Sequence, residues 1–175
     1  IADAARQIEG AFSLVITTND SLVGVRDPQG FRPLCLGKTE NGYVLSSESC
    51  AFDAIKAEFI RHIDPGEMVI IDDSGVRSTI YAEPEKIDKK LCVFEYIYFA
   101  RGDSHIDGQS VYQSRLNMGR ELYNETKYDA DIVMSIPDSG TTAALGYARA
   151  SWIPFAEGLV KNRYSGRTFI KPNQE

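Results

Sequence analysis

Several residue types and patterns are scarce in this chain of 175 residues, and each scarcity excludes a class of protein. Its 3 cysteines are widely spaced and odd in number, so a secreted domain stapled by disulfides is not expected. No apolar run approaches the roughly 20 residues of a membrane-spanning helix. Basic residues are outnumbered, 19 against 25, and the net charge of -6 argues against general nucleic-acid binding. We expect a cytoplasmic protein with no membrane or nucleic-acid partner.

The first half of the chain has the pattern of an antiparallel sheet covered by a helix. Short apolar stretches alternate with turn residues such as Asn41-Gly42 and Pro65-Gly66. Apolar residues at helical spacing predict a helix over 48–59. The predicted strands cover residues 11–17, 21–26, 43–47, 68–72 and 76–81. We therefore predict an α+β first domain over residues 1–90.

The second half alternates strands with helices. The polar, proline-containing stretch 83–90 predicts a linker. Strands are predicted at 92–100, 130–136 and 153–160, and helices at 110–126 and 142–150. This alternation is typical of a parallel sheet, so residues 91–175 predict an α/β second domain.

The most basic segment is 161–169, where Lys161, Arg163 and Arg167 occur with no acidic residue among them. The planar fork of arginine matches a phosphate group, so this segment predicts an anion-binding loop. An ordinary basic surface loop is the alternative.

A second candidate loop precedes the helix predicted at 142–150. Asp138, Ser139, Gly140 and Thr141 lie where a strand ends and a helix begins, which is where open α/β sheets bind ligands and where helix N–H groups attract anions. A plain capping turn is the alternative. Two such loops within one strand–helix–strand step favour a diphosphate or a phosphosugar as the ligand.

Other polar residues give weaker signals. Arg26 lies in a turn rich in proline and glycine, where it could hold a carboxylate or a neighbouring domain, or else pair with Asp27 or cap carbonyls. His62 and His105 have no partner at metal or triad spacing and are predicted to be structural or exposed. Cys35 and Cys50 lie in apolar contexts and predict core thiols.

Four segments, in order, resemble a single family: 26–34, 46–49, 94–101 and 161–169. They resemble amidophosphoribosyltransferases, and the similarity spans essentially the whole chain. It implies an N-terminal-nucleophile glutaminase domain that releases ammonia from glutamine, followed by a type I phosphoribosyltransferase domain that adds the ammonia to phosphoribosyl pyrophosphate. The implied product is phosphoribosylamine, the first intermediate of purine synthesis, and a homo-oligomer is expected.

By this resemblance, residues 1–90 are the later part of the glutaminase sandwich, and 91–175 the first part of the transferase sheet. The family's nucleophilic cysteine and its paired-aspartate loop fall outside the chain. We therefore assign no catalytic residue, and expect these residues to be part of a longer protein and inactive alone.

The resemblance implies roles for both loops. Residues 137–141 match the family's pyrophosphate loop, where a hydroxyl often meets Mg²⁺; Gly140 stands at that position here, so water or Ser139 would substitute. Lys161, Arg163 and Arg167 match the flexible loop that closes over the substrate.

Cys92 matches the first cysteine of a 4Fe–4S cluster that some members contain, although members without a cluster also carry cysteine there. A non-catalytic regulator that binds a nucleotide or phosphosugar is the alternative function. The strand-rich first half argues against it, because a regulator would not need these segments.

Overall fold

The computed structural model describes residues 1–166 of the chain. The chain divides into two compact units, Ile1–Ser114 and Arg115–Glu175. It combines β-sheets with helices, as the predicted α+β class requires. Within residues 1–166, no helix is long and apolar enough to cross a membrane.

The first unit contains two antiparallel sheets. In chain order, the strands are β1 (Ser13–Thr17), β2 (Leu22–Arg26), β3 (Cys35–Thr39), β4 (Gly42–Ser46), β5 (Glu58–His62), β6 (Glu67–Asp72) and β7 (Gly75–Ile80). One sheet has the order β1-β2-β6-β7 and the other has the order β4-β3-β5. Two short helices accompany them, α1 (Ala2–Ala5) and α2 (Cys50–Ile55).

The two faces of β2 belong to two different parts of the core. Val23 and Val25 pack with Met68 in a cluster on one side of the larger sheet. On the other side, a Cβ atom on Gly24 would lie only 2.9 Å from Leu45 Cδ1, in the smaller sheet. A second cluster there contains residues of both sheets, namely Leu34, Ile63 and Val69 with Leu45, Ile71 and Val76. The alternation of side chains along the strands thus builds a two-layer sandwich.

The helix predicted at 48–59 is shorter than expected, because Lys56 adopts a left-handed backbone conformation (φ 55°) and ends α2. The residues that follow form β5, which pairs with β3. The sequence pattern predicted neither the end of the helix at Lys56 nor the strands β3 and β5. A non-glycine residue in this conformation is uncommon, so the sequence gives no clear signal that the helix ends here.

The prediction of a strand at 92–100 is wrong. Glu95–Phe99 forms one turn of π-helix, in which the Ala100 N–H donates to the Glu95 carbonyl over 3.1 Å. Glu95 and Ala100 are buried while Ile97, Tyr98 and Phe99 are exposed. The buried positions are therefore five apart rather than two apart, which a strand cannot provide.

Residues 83–90, predicted to be a linker, lie within the first unit and are hydrogen-bonded to the turn that follows β2. They contain a 3₁₀ turn, Pro84–Lys86. The N–H groups of Asp88 and Lys90 donate to the carbonyls of Pro28 and Gln29 over 3.3 and 2.7 Å. A hairpin of β8 (His105–Ile106) and β9 (Gln109–Ser110) follows. The division into catalytic domains near residue 90 stays a prediction.

Two helices occur where the sequence predicts them, α3 (Val111–Glu125) and α4 (Thr141–Ser151). Within the second unit they touch through glycines. A Cβ atom on Gly119 would lie 1.9 Å from the Ala143 carbonyl oxygen, and one on Gly146 would lie 2.1 Å from the Leu116 carbonyl oxygen. The absence of side chains at these two positions lets the two backbones approach.

The strands predicted at 130–136 and 153–160 are reduced to a single parallel bridge, Val133↔Phe155. The neighbouring side chains of Ile132, Met134 and Ile136 are at least half exposed. A two-stranded sheet is marginally stable without further strands or a packed face, which explains why so little of this pair is formed.

Candidate functional site

The two loops predicted to bind anions lie side by side in the second unit. The Val133 N–H donates to the Pro154 carbonyl and the Ala156 N–H donates to the Val133 carbonyl, each over 2.9 Å. Since these segments run in parallel, the loops that follow them lie at the same edge. Lys161 Nζ lies 3.3 Å from Asp138 Oδ2, which joins one loop to the other.

The first loop leads directly into α4. The Thr141 N–H donates to the Asp138 carbonyl over 3.2 Å, and Ser135 Oγ lies 3.1 Å from Thr141 Oγ1. A Cβ atom on Gly140 would lie 2.9 Å from the Ile136 carbonyl oxygen, so a larger residue would crowd this turn. Asp138 and Ser139 are exposed at its tip. Because the first N–H groups of a helix have no partner within the helix, the turn presents donors suited to an anion.

The second loop brings cations to this edge. Lys161 and Arg163 are exposed, and the Tyr164 N–H donates to Asn162 Oδ1 over 3.0 Å. Arg167 lies outside the described residues. The sequence suggests that the cations of this loop lack acidic neighbours, but the structure corrects this expectation for Lys161, which contacts Asp138.

The donors at this edge suit a metal ion that arrives with a ligand. Within residues 1–166 no group of three or more metal-ligating side chains occurs. Mg²⁺ is commonly held by one or two carboxylates while phosphates and waters complete its shell. The Asp138 carboxylate and the Ser139 hydroxyl fit that requirement, whereas Gly140 has no side chain to offer.

The cysteines differ in environment. Cys35 and Cys50 are buried, as predicted, and Cys92 is half-buried. Cys35 Sγ lies 3.2 Å from His62 Nδ1, but burial raises the pKa of Cys35 to about 12, so this pair does not supply a thiolate nucleophile. Cys92 precedes the π-helical turn instead of opening a strand. One thiol cannot hold a four-iron cluster, so Cys92 would need ligands from elsewhere.

Arg26 is an internal structural residue. Its guanidinium is fully buried and donates to the carbonyls of Gly30, Arg32 and Ile63 over 2.9, 2.9 and 2.6 Å. It also contacts the Asp107 carboxylate at 3.4 Å. Of the alternatives left open by the sequence, carbonyl capping and the holding of a carboxylate are therefore both correct. Asp27 instead accepts from the N–H groups of its own turn.

Two of the recognised segments are hydrogen-bonded to each other. Glu48 Oε2 accepts from the Arg101 N–H at 2.8 Å and from Ser104 Oγ at 2.7 Å. Ser49 Oγ accepts from the His105 N–H at 2.8 Å. The segment 46–49 thus fixes the chain that follows the π-helical turn. Sequence reasoning missed this role, since neither segment alone carries a signal for the pairing.

A cavity of about 620 Å³ lies beside this junction, lined by residues that include Arg32, Glu48, Glu95 and Phe99. Glu95 is buried, and its Oε1 lies 2.9 Å from Arg32 Nη1 without a well-aligned hydrogen bond. Burial raises the pKa of the Glu95 carboxyl, and Arg32 opposes that shift only in part. Glu95 is the one described residue with a buried side-chain oxygen or nitrogen that lacks a hydrogen bond.

Comparisons with known proteins confirm the resemblance. No family model matches the chain. It is 53% identical over 178 residues to the amidophosphoribosyltransferase of Synechococcus elongatus, covering 99% of this chain and 36% of that protein. It is 51% identical over 165 residues to the amidophosphoribosyltransferase of Archaeoglobus fulgidus, covering 94% of this chain and 36% of that protein.

Comparison with solved structures supports the same resemblance. The chain matches a glutamine phosphoribosylpyrophosphate amidotransferase from B. subtilis, solved with ADP and GMP, with a TM-score of 0.91 and 44% identity. The match covers 99% of this chain and 38% of that one. The chain therefore spans little more than a third of the length of these relatives.

Proposed function

Since the chain is homologous over nearly its whole length to a part of amidophosphoribosyltransferases, we propose that it belongs to an enzyme that transfers ammonia from glutamine to phosphoribosyl pyrophosphate. The product would be phosphoribosylamine, the first intermediate of purine synthesis. The observation that carries the proposal is the meeting of the loops at 137–141 and 161–166, in a chain so similar to these relatives.

The two units support the proposal that the chain contains parts of two catalytic domains. The packed antiparallel sheets of the first unit suit the later part of an N-terminal-nucleophile glutaminase sandwich over residues 1–90. The parallel bridge and the paired loops of the second unit, Arg115–Glu175, suit the first part of a type I phosphoribosyltransferase. We propose that this domain spans residues 91–175, although residues 91–114 belong to the first compact unit. The exposed apolar side chains around Val133 suit a sheet that continues with further strands.

The loops would act on the pyrophosphate of the substrate. The N–H groups at the start of α4 bind its oxygens, and Lys161, Arg163 and Arg167 neutralise the charge that develops as the bond between pyrophosphate and C1 of the ribose breaks. A cation near that leaving group stabilises the transition state more than the ground state, because the charge is larger there. Closure of 161–169 would also exclude water from the reaction.

Cofactors remain part of the proposal. Bound Mg²⁺ would offset charge on the pyrophosphate, with Asp138 and Ser139 as the residues of this chain placed to hold it. A 4Fe–4S cluster at Cys92 would need cysteines that the described residues do not place beside it. A cytoplasmic location and a homo-oligomeric assembly stay predictions.

The proposal is tested by assaying the full-length protein that contains this chain with glutamine, or with ammonia, and phosphoribosyl pyrophosphate. We expect phosphoribosylamine from either nitrogen source. Lys161→Ala, Arg163→Ala and Arg167→Ala should each lower synthesis about tenfold or more, since a charge-assisted contact contributes roughly 1.5 to 3 kcal/mol. Glutaminase activity should keep its basal rate.

The isolated chain should show neither activity, because the nucleophile and the paired-aspartate loop of the family fall outside it. If synthesis survived all three substitutions, or if glutamine hydrolysis fell in parallel with synthesis, the assignment of the loops would be wrong.

A further inference from the structure

A pocket of about 520 Å³ lies in the first unit, lined by residues to which the proposed function assigns no role. A pocket of this size accommodates a small molecule. Its apolar side consists of Phe52, Ala57 and Phe59, and the ring centroids of the two phenylalanines lie 6.2 Å apart. Phe52 is buried and Phe59 is exposed, so the pocket has an aromatic wall that a second apolar ring can cover.

His62 gives this pocket one hydrogen-bond donor in a fixed orientation. Cys35 Sγ lies 3.2 Å from His62 Nδ1. Because burial raises the pKa of Cys35 to about 12, the thiol is protonated, and sulfur is a weak acceptor, so the thiol donates to Nδ1. Burial also lowers the pKa of His62, and its ring is therefore neutral at pH 7. The single ring proton of His62 thus lies on Nε2.

The Nε2–H group of His62 is open to a ligand. Within residues 1–166 it has no hydrogen-bond partner. It is not buried, since Glu95 carries the one buried side-chain oxygen or nitrogen without a hydrogen bond in that range, and His62 lines the pocket. The Phe59 ring, 5.0 Å away between centroids, packs against the imidazole. A ligand that displaces water from Nε2–H must supply an acceptor, because an unpaired buried donor is costly.

The rim of the pocket is acidic. Asp53 and Asp103 are exposed there. Asp103 pairs with Arg101 over 2.7 Å, whereas Asp53 has no ion pair in the part of the chain that the structure describes. An anionic ligand would therefore be repelled. A metal ion is not the expected occupant, since residues 1–166 contain no group of three or more metal-ligating side chains.

We propose that this pocket binds a small, flat aromatic compound that carries a hydrogen-bond acceptor and no negative charge. The ring of the ligand covers Phe52 and Phe59, and its acceptor receives a hydrogen bond from His62 Nε2–H. The aromatic wall supplies most of the attraction, the His62 donor selects among aromatic ligands, and Asp53 discriminates against anions. The inference is independent of the proposed function, because no residue of the two anion-binding loops takes part.

The test uses the full-length protein that contains this chain, with 4-fluorophenylalanine at the exposed position 59 as a reporter in the pocket. Indazole and indole are titrated, and the shift of the fluorine NMR signal gives a Kd for each. The two probes have the same shape and each has one N–H group, but only indazole has a ring nitrogen that accepts a hydrogen bond. We expect a Kd of about 1 mM for indazole, and indole should bind at least about threefold more weakly.

His62→Phe should abolish this preference, because it keeps an aromatic ring and removes the donor. The ratio of the indole Kd to the indazole Kd should fall to about one. His105→Gln is the matched control, since it removes an exposed imidazole from the rim of the same pocket and should leave the ratio unchanged. Cys35→Ala should also lower the ratio, because the ring proton can then move to Nδ1, whereas Cys35→Ser keeps a donor and should keep the ratio.

A charged probe tests the rim. Indazole-3-carboxylate should bind at least about threefold more weakly than indazole at low ionic strength, and Asp53→Asn should reduce that difference. If the carboxylate bound more tightly than indazole, the pocket would be an anion site and the proposal would be wrong.

The remaining outcomes also decide the proposal. If neither indazole nor indole shifts the fluorine signal at up to roughly 10 mM, the pocket is not a site for such compounds. If indole binds wild-type protein as tightly as indazole, or if His105→Gln lowers the ratio as much as His62→Phe, the role of His62 is refuted. The wild-type ratio and the two Cys35 variants decide this point even if His62→Phe does not fold.

Discussion

Arg26 and Asp107 are 81 positions apart in the sequence, yet the Asp107 carboxylate lies 3.4 Å from both terminal nitrogens of the Arg26 guanidinium. The Arg26 side chain is fully buried and that of Asp107 is only 9% exposed. Lys89 Nζ lies 3.3 Å from the same carboxylate. This cluster attaches the β8–β9 hairpin to the turn that follows β2, within the first unit.

Asp107→Asn should destabilise the first unit, because it leaves the buried Arg26 guanidinium without a counterion. We expect a loss of about 1 to 3 kcal/mol in the free energy of unfolding, measured by urea denaturation. Asp103→Asn is the control, since the Asp103–Arg101 pair is exposed and its loss should cost less than about 0.5 kcal/mol. Equal effects of the two substitutions would contradict the buried role of Asp107.

The same pair predicts a dependence on pH. Burial alone would raise the pKa of Asp107, but Arg26 and Lys89 outweigh it and hold the pKa below its ordinary value. The unfolded chain then binds the proton at a higher pH than the folded chain does, so the stabilisation from Asp107 is complete above about pH 4 and is lost as pH falls further. Asp107→Asn should therefore cost less free energy at pH 3 than at pH 7.

The contribution of Glu95 to stability should depend on pH in the opposite direction. Burial raises its pKa, so the folded chain holds the proton more tightly than the unfolded chain, and the Glu95 contribution becomes less favourable as pH rises through the folded pKa. Glu95→Gln removes this pH-dependent contribution to stability. We expect the variant to gain stability relative to wild type between about pH 4 and pH 7, as measured by thermal unfolding at fixed ionic strength. A difference that shrinks as pH rises would show that Arg32 dominates instead.

The thiols should react in an order set by burial. Cys35 is buried with a pKa raised to about 12, so its alkylation by iodoacetamide at pH 8 should be limited by unfolding. Cys92 is half-buried and should be alkylated first. Mass spectrometry over time gives each rate, with urea-unfolded chain as the control in which all three rates should converge. If Cys35 in the folded chain were alkylated as fast as Cys92, the burial of Cys35 would be contradicted.

Gly119→Ala should destabilise the second unit, because the added methyl group would meet the Ala143 carbonyl oxygen at 1.9 Å and force α3 and α4 apart. We expect a loss of about 1 to 3 kcal/mol, despite the better helix propensity of alanine. Glu125→Ala, at the exposed end of α3, should have little effect in the same urea titration. A Gly119→Ala chain as stable as wild type would mean that the helices do not cross as described.

Local sequence pattern predicted much of the fold. Both α3 and α4 occur where apolar spacing places them, because a helix with one apolar stripe needs only neighbouring residues to define it. The strands β1, β2, β4, β6 and β7 were also predicted, to within about two residues at their ends. The failures were β3, β5, the β8–β9 hairpin, the π-helical turn at Glu95–Phe99 and the strands predicted at 130–136 and 153–160. In these places the conformation depends on distant contacts.

The sequence by itself determined which residues are candidates for a phosphate site: Asp138, Ser139, Lys161 and Arg163 were all chosen from local pattern, and their binding of a phosphate stays a prediction. Only the tertiary structure decided that Asp138 pairs with Lys161, and that Arg26 is a buried anchor for Asp107 rather than a ligand group. Charge and helical spacing are properties of neighbouring residues. The partner of a charge depends on which distant segments the packed core brings together, and no local pattern encodes that choice.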